Sequence, residues 1–192
     1  MIRRAEIPLA EVWGETDDPR DIVVAVAHRS AAYRMTQSLI SWGYRKIAFM
    51  HFPLQNNDRM MRRVEGFAAA MRDAGLQVNH DLIVEANNSY QSGAQTLVEL
   101  KARFPDLDAV FCASDVLAVG ALTECQRRGW RVPEDLAIAG FDDLDIGAIM
   151  VPPLTTIRTN RFDSGRRAAE LILARIERGG NKTISETMGF EI

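Results

Sequence analysis

An α/β fold built on doubly wound parallel sheet is what this chain predicts, on three observations. Short apolar runs recur at intervals, each too brief for a free-standing helix and bounded by turn residues. Between them lie segments with apolar residues at helical spacing, several stopped by a glycine. Where run, helix and run follow one another most clearly, in 108–145 (DAVFCASDVLAVGALTECQRRGWRVPEDLAIAGFDDLD), the runs are continuously apolar rather than alternating. Strands of that kind are covered on both faces, as in a parallel sheet.

Taken in order, 7–12 (IPLAEV) is a strand candidate, 16–20 (TDDPR) a turn and 22–27 (IVVAVA) a second strand. Residues 31–42 predict a helix with Ala32, Met35, Leu39 and Trp42 on one stripe, stopped by Gly43. The pattern then becomes regular. KIAFM at 46–50 is a strand. The helix over 58–74 carries Met60, Val64, Phe67, Met71 and Ala74 at helical spacing, with Asp58 as its cap and Gly75 at its end. A strand over 82–86 and a helix over 92–103 follow. Strand 109–113, helix 116–128 and strand 136–141 complete the array. After Pro152-Pro153, TTIRT at 155–159 alternates as another strand. Residues 164–178 form a helix with Ala168, Leu171, Ile172 and Ile176 on its apolar face, and 183–192 is a last strand. Residues 45–159 thus hold one complete unit. The flanks, 1–44 and 160–192, supply apolar-faced helices but too few strands to cover them, and read as part of a second.

Composition narrows the function classes. A chain of 192 residues with 47% hydrophobic residues can bury a sizeable core. Its net charge of -3 argues against a surface built for nucleic acid, which normally shows as a basic patch. No apolar run approaches a membrane span, and the first fifteen residues lack the apolar middle of a signal peptide. The two cysteines, Cys112 and Cys125, make no framework and read as reduced thiols of a cytoplasmic protein. Motifs for a nucleophile elbow, a phosphate loop, a C-x-x-C pair or an H-E-x-x-H zinc site are absent. The histidines, His28, His51 and His80, have no metal-ligand spacing. Asp115 with Asp142 and Asp143 could hold Mg²⁺, but no lysine or activated nucleophile accompanies them. No enzyme, metal or cofactor is expected.

Right-handed crossovers bring the C-terminal ends of parallel strands to one edge, where ligands bind in open α/β sheets. Four loops are nominated there: 52–63, 87–91, 114–115 and 142–145. They offer cations (Arg59, Arg62, Arg63), amides (Asn56, Asn57, Asn87, Asn88), a stacking ring (Tyr90) and acceptors (Asp115, Asp142). Carboxylates and amides suit sugar hydroxyls, an aromatic ring covers an apolar sugar face, and an arginine fork matches an acid group. Simpler roles compete: Asp115 serves equally as a helix cap, Asp143 and Asp145 as a solvated turn, and Arg59 with Arg63 as a solvated flank.

These residues resemble the lactose-repressor/galactose-repressor family of bacterial transcription regulators over essentially the whole chain. The resemblance rests on LISWGYRKIAFM, RRVEGFAAAMRDAGL, FCASDVLAVGAL, VPEDLAIAGFDD and PPLTTIRTNRFDSGRRAAELIL; IPLAEVWGETDDPRD is similar to the gluconate-repressor subgroup. It implies a periplasmic-binding-protein-like type I fold, with a partial first subdomain (1–44), a complete second (45–159) and a return to the first (160–192). Arg63 and Asp142 match the family's effector-gripping arginine and aspartate, Asn57 and Arg59 fall at further contact positions, and Thr159 lies at the hinge strand. The family's Asp-Asn after the second strand is Ala27-His28 here, and its Asn-Asp before the core helix is Ser114-Asp115. His28 and Ser114 therefore stand as hydrogen-bonding candidates.

The implied function is effector sensing and dimerisation in a repressor answering to a sugar or sugar acid such as gluconate, with operator DNA reached only through a helix-turn-helix outside this chain. The alternative is a transport-type sugar-binding protein of the same fold. For the homodimer, helix 116–128 is apolar around much of its circumference and 149–151 is apolar at a sheet edge. Val119 and Met150 are the predicted contacts, unless both are ordinary core.

Overall fold

A computed structural model describes residues 7–16 and 18–192. The chain divides into two compact units, and it passes between them after Ala27 and again after Arg158. The start of the chain and Asp17 of the predicted 16–20 turn lie outside the described residues.

The larger unit is the predicted parallel array. Its strands are β3 (Ile47–His51), β4 (Ile83–Glu85), β5 (Ala109–Cys112) and β6 (Ala137–Ala139), in the order β4-β3-β5-β6. Register places Phe49 beside Ile83 and Phe111, and Phe111 beside Ala139, all strands parallel. One face, through Ala48, Met50, Val110, Cys112 and Ile138, packs on α3 (Tyr90–Arg103) and α4 (Asp115–Arg128). The other face carries Phe49, whose ring stacks on Phe67 of α2 (Asp58–Asp73) at 5.1 Å and meets Phe111 edge-on at 5.0 Å. Because both faces are covered, these strands show no alternation.

The helix α1 (His28–Ser41) belongs to this same unit, so the division falls at 27/28 rather than at 44. Periodicity marked its buried face, Ala32, Met35 and Leu39, but could not name what covers it. The cover is α2: Gly66 lets α1 approach so closely that a Cβ there would strike the Arg29 carbonyl. Trp42, placed by periodicity on that stripe, is 56% exposed beyond the helix end.

The smaller unit holds β1 (Ala10–Trp13), β2 (Ile22–Val26) and β8 (Ile184–Met188), parallel in the order β1-β2-β8. It packs on α6 (Arg161–Arg178) through Ile22, Val24, Ala168 and Leu171. Arg167 forks onto Glu186 with two bonds of 2.7 Å, tying α6 to β8. Two further elements refine the reading. Of the alternating 155–159, only Arg158–Thr159 forms a strand (β7, paired with β9, Phe190–Glu191), while Thr155 makes an isolated bridge to Ala139. A short helix, α5 (Asp145–Ile149), occupies the predicted turn after Asp143.

Candidate functional site

The C-terminal ends of β3, β5 and β6 open onto one edge of the larger unit, and their loops converge on Arg63. This residue lies in the second turn of α2, yet it is 5% exposed. Its guanidinium lies over the Phe141 ring, with Cζ 3.5 Å from the centroid. Nη1 donates to the Ala113 carbonyl, Nε donates to His28 Nδ1 at 3.3 Å, and Nη2 pairs with Asp142 Oδ1 at 3.5 Å. Since His28 Nδ1 accepts, its imidazole is assigned the neutral tautomer with the proton on Nε2. Its ring also stacks on Phe141 at 5.9 Å. Asp142 Oδ2 accepts from Ser114 Oγ at 3.2 Å. His28, Arg63, Ser114 and Asp142, all selected from sequence, thus form one hydrogen-bonded cluster.

Burial pushes the Arg63 guanidinium down to about 10, with the Arg59 charge adding to that and the Asp142 carboxylate opposing it. At neutral pH the group remains a cation. Asp142 is the open end of the pair, its side chain 28% exposed against 6% for Arg63. Its backbone stands at φ 115°, a conformation that L residues rarely adopt, and Asp143 follows at φ 54°.

The remaining candidates take other places. Asn57, not Asp58, is the cap of α2: Oδ1 accepts from Met60 N at 3.3 Å while Nδ2 donates to the Pro53 carbonyl at 3.2 Å. Asp58 is instead the first helical residue. Ser114 caps α4 by accepting from Val116 N at 3.3 Å, so Asp115 is no cap. Nor is Asp115 a free acceptor, because it is fully buried and both carboxylate oxygens are used inside the unit. Arg59 is exposed and makes no ion pair among the described residues. Tyr90 opens α3, is 47% exposed and joins no hydrogen bond of the Arg63 cluster. Thr159 is buried and belongs to the smaller unit. Val119, predicted at a two-fold, is 4% exposed within the chain itself. Met150 is half-buried, flanked by Ile149 at 78% and Val151 at 76% exposed.

Three participants were missed. Phe141 was read only as the end of a strand, although an aromatic between a glycine and two aspartates at a strand end could have been marked. The Ala113 carbonyl and Thr156 carry no sequence signal, since a backbone acceptor and a threonine beyond two prolines are common everywhere. Among the described residues no group of three His, Cys, Asp or Glu could hold a metal ion, and no helix is long and apolar enough to cross a membrane.

Residues 36–190 match the periplasmic binding protein-like domain, which defines the class: an α/β binding module on parallel sheets. The chain belongs to the LacI family of transcriptional regulators. It is 42% identical over 176 residues to the HTH-type transcriptional regulator GntR of Escherichia coli (strain K12), an alignment covering 92% of this chain and 52% of that protein. The structure of a LacI family regulator from Silicibacter pomeroyi superposes with a TM-score of 0.90 at 30% identity, covering 100% of this chain and 69% of that one. A LacI family regulator from Enterococcus faecium with bound ribose gives 0.83 at 26% identity, covering 96% and 69%. The chain spans about half the length of the curated relatives it matches. These relatives are regulators of transcription rather than enzymes.

Proposed function

We propose that this chain senses a sugar acid, gluconate or a close analogue, for a cytoplasmic DNA-binding repressor. The reading is carried by one observation: a buried arginine, Arg63, paired with a part-exposed carboxylate, Asp142, on the ligand edge of a parallel sheet. Asp142 offers acceptors to hydroxyls, Ser114 a hydroxyl beside it, and Arg63 a planar fork that exchanges its present partners for those of a ligand. Arg59, exposed and close enough to bear on the charge of Arg63, supplies the cation for an acid group. A related regulator holds ribose, which supports a polyhydroxy ligand. Contact with operator DNA belongs to a helix-turn-helix that the relatives carry in their names, and ligand acts by shifting the population of conformers presented to DNA. The transporter reading has no comparable support, because the relatives are regulators.

The test is titration calorimetry of the chain with D-gluconate and with neutral D-glucose. Arg63→Ala and Asp142→Ala each weaken gluconate by about 1–3 kcal/mol, the range for a buried charge-assisted bond. Arg59→Ala weakens gluconate and leaves any glucose binding unchanged. Undiminished gluconate affinity in both the Arg63 and Asp142 variants overturns the site.

A further inference from the structure

Every residue of the loop that carries Asp142 has its backbone pinned. Gly140 N donates to the Thr155 carbonyl at 2.8 Å, and the Phe141 carbonyl accepts from Asp115 N at 2.8 Å. Asp142 N donates to the Ile157 carbonyl at 2.9 Å, Asp143 N to Thr156 Oγ1 at 3.4 Å, and Leu144 N to Asp115 Oδ2 at 2.7 Å. Thr156 in turn donates its hydroxyl proton to Asp115 Oδ1 at 2.5 Å. Asp115 is therefore the hub: its amide, and both oxygens of a fully buried carboxylate, act on the residues on either side of Asp142, directly or through Thr156. The hub is packed tightly enough that a Cβ on Gly140 would strike Asp115 Oδ1. Residues held in sparsely populated backbone conformations persist only where the surroundings over-determine them. At φ 115°, Asp142 is such a residue, and relaxing it would carry its carboxylate away from Arg63 and Ser114.

We infer that Asp115, through Thr156, is a positioning residue for the effector: it touches no ligand and holds Asp142 in the strained backbone that aims its carboxylate. The inference rests on Asp142 being an effector contact, and it assigns to Asp115 a role that neither helix capping nor ligand contact describes.

The test pairs gluconate calorimetry with crystal structures of the variant chains, so that backbone and binding are read separately. Thr156→Val removes the hydroxyl relay from a half-buried position, and Asp115→Ala removes the hub. Both lose the positive φ at Asp142 and weaken gluconate by about tenfold or more, the scale of one buried hydrogen bond. Thr156→Ser retains the geometry and the affinity. So does Asp115→Asn, whose amide oxygen accepts from Leu144 N while its NH₂ donates to Thr156 Oγ1. In an Asp142→Ala background the effect of Thr156→Val on affinity disappears, which a general loss of stability would not produce. Should Asp115→Ala fail to fold, Thr156→Val decides. If the parent chain binds no gluconate, the effector reading fails, and the Asp142 backbone in Thr156→Val still decides the positioning role. Asp142 unmoved at positive φ in a folded Thr156→Val overturns it.

Discussion

Two aspartates of the larger unit sit in opposite surroundings. Asp115 is buried, and burial raises its carboxyl above the usual 3.8, with hydrogen bonds from Thr156 and Leu144 opposing. Asp135 is exposed to solvent and gripped by Arg131, whose guanidinium and backbone N–H lower it to about 2. The linkage signs are opposite. The folded Asp115 holds its proton more tightly than the unfolded chain, so its contribution is complete below 3.8 and is lost as pH rises through its raised value. Asp135 contributes above 3.8, and that contribution is lost as pH falls toward about 2. Carboxyl carbon shifts followed by NMR between acid and neutral pH should show Asp115 titrating above 3.8 and Asp135 below it. Asp115 titrating below the usual value would mean that its hydrogen bonds outweigh burial. The thiols need no such test, since burial raises both: Cys125 is pushed up to about 11 and Cys112 further still, which leaves them unreactive.

At the scale of elements, the crossing of α3 and α4 accounts for the apolar breadth of α4. Gly93 lies against the Leu117 backbone and Gly120 against the Tyr90 backbone, so each helix supplies a glycine where the other's main chain passes. A methyl at either position meets backbone rather than a movable side chain. Gly120→Ala should therefore cost about 1–3 kcal/mol, the usual range for overpacking, read from the urea midpoint at unchanged slope. Gly165 is the contrast. It is an exposed position within α6 where a Cβ meets nothing within 4 Å, and alanine there should stabilise by up to about 1 kcal/mol through helix propensity alone. Equal effects of the two substitutions would show that the α3–α4 crossing is looser than described. With one side of α4 closed by α3 and another by the sheet, Leu117, Ala118, Ala121 and Cys125 are core, and Val119 is 4% exposed within the chain.

For the whole molecule, the residues that invite self-association are the exposed Ile149 and Val151, which flank the predicted contact Met150. Adjacent large aliphatics at 78% and 76% exposure fit a proposed homodimer contact, since oligomer interfaces gather such residues. Ile149→Asp with Val151→Asp should give a folded monomer by sedimentation, with unchanged circular dichroism. Val119→Asp should unfold the chain, because it buries a charge with no partner. A dimer that survives the Ile149 and Val151 changes places the contact elsewhere.

Read in sequence, the chain disclosed its parallel architecture and the edge where a ligand sits, because both follow from local signals: apolar runs, helical spacing and handed crossovers. Arg63 and Asp142 were legible for the same reason, being polar residues in loops on that edge, whereas His28 and Ser114 were marked only by the family resemblance. Family motifs added that Arg63 and Asp142 act together. What local signals could not supply was the identity of neighbours distant in the chain. Periodicity found the buried face of α1 but not that α2 covers it. It counted the apolar residues of α4 but could not see that Gly93 and Gly120 bring α3 against them. Asp115 looked like a cap or a ligand contact because it stands at a helix start. Only tertiary structure made it the buried hub of the Asp142 loop, since Leu144 and Thr156 lie 29 and 41 residues away along the chain. Patterns of one side chain's character survive in a sequence; contacts between distant segments exist only once the sheet has assembled.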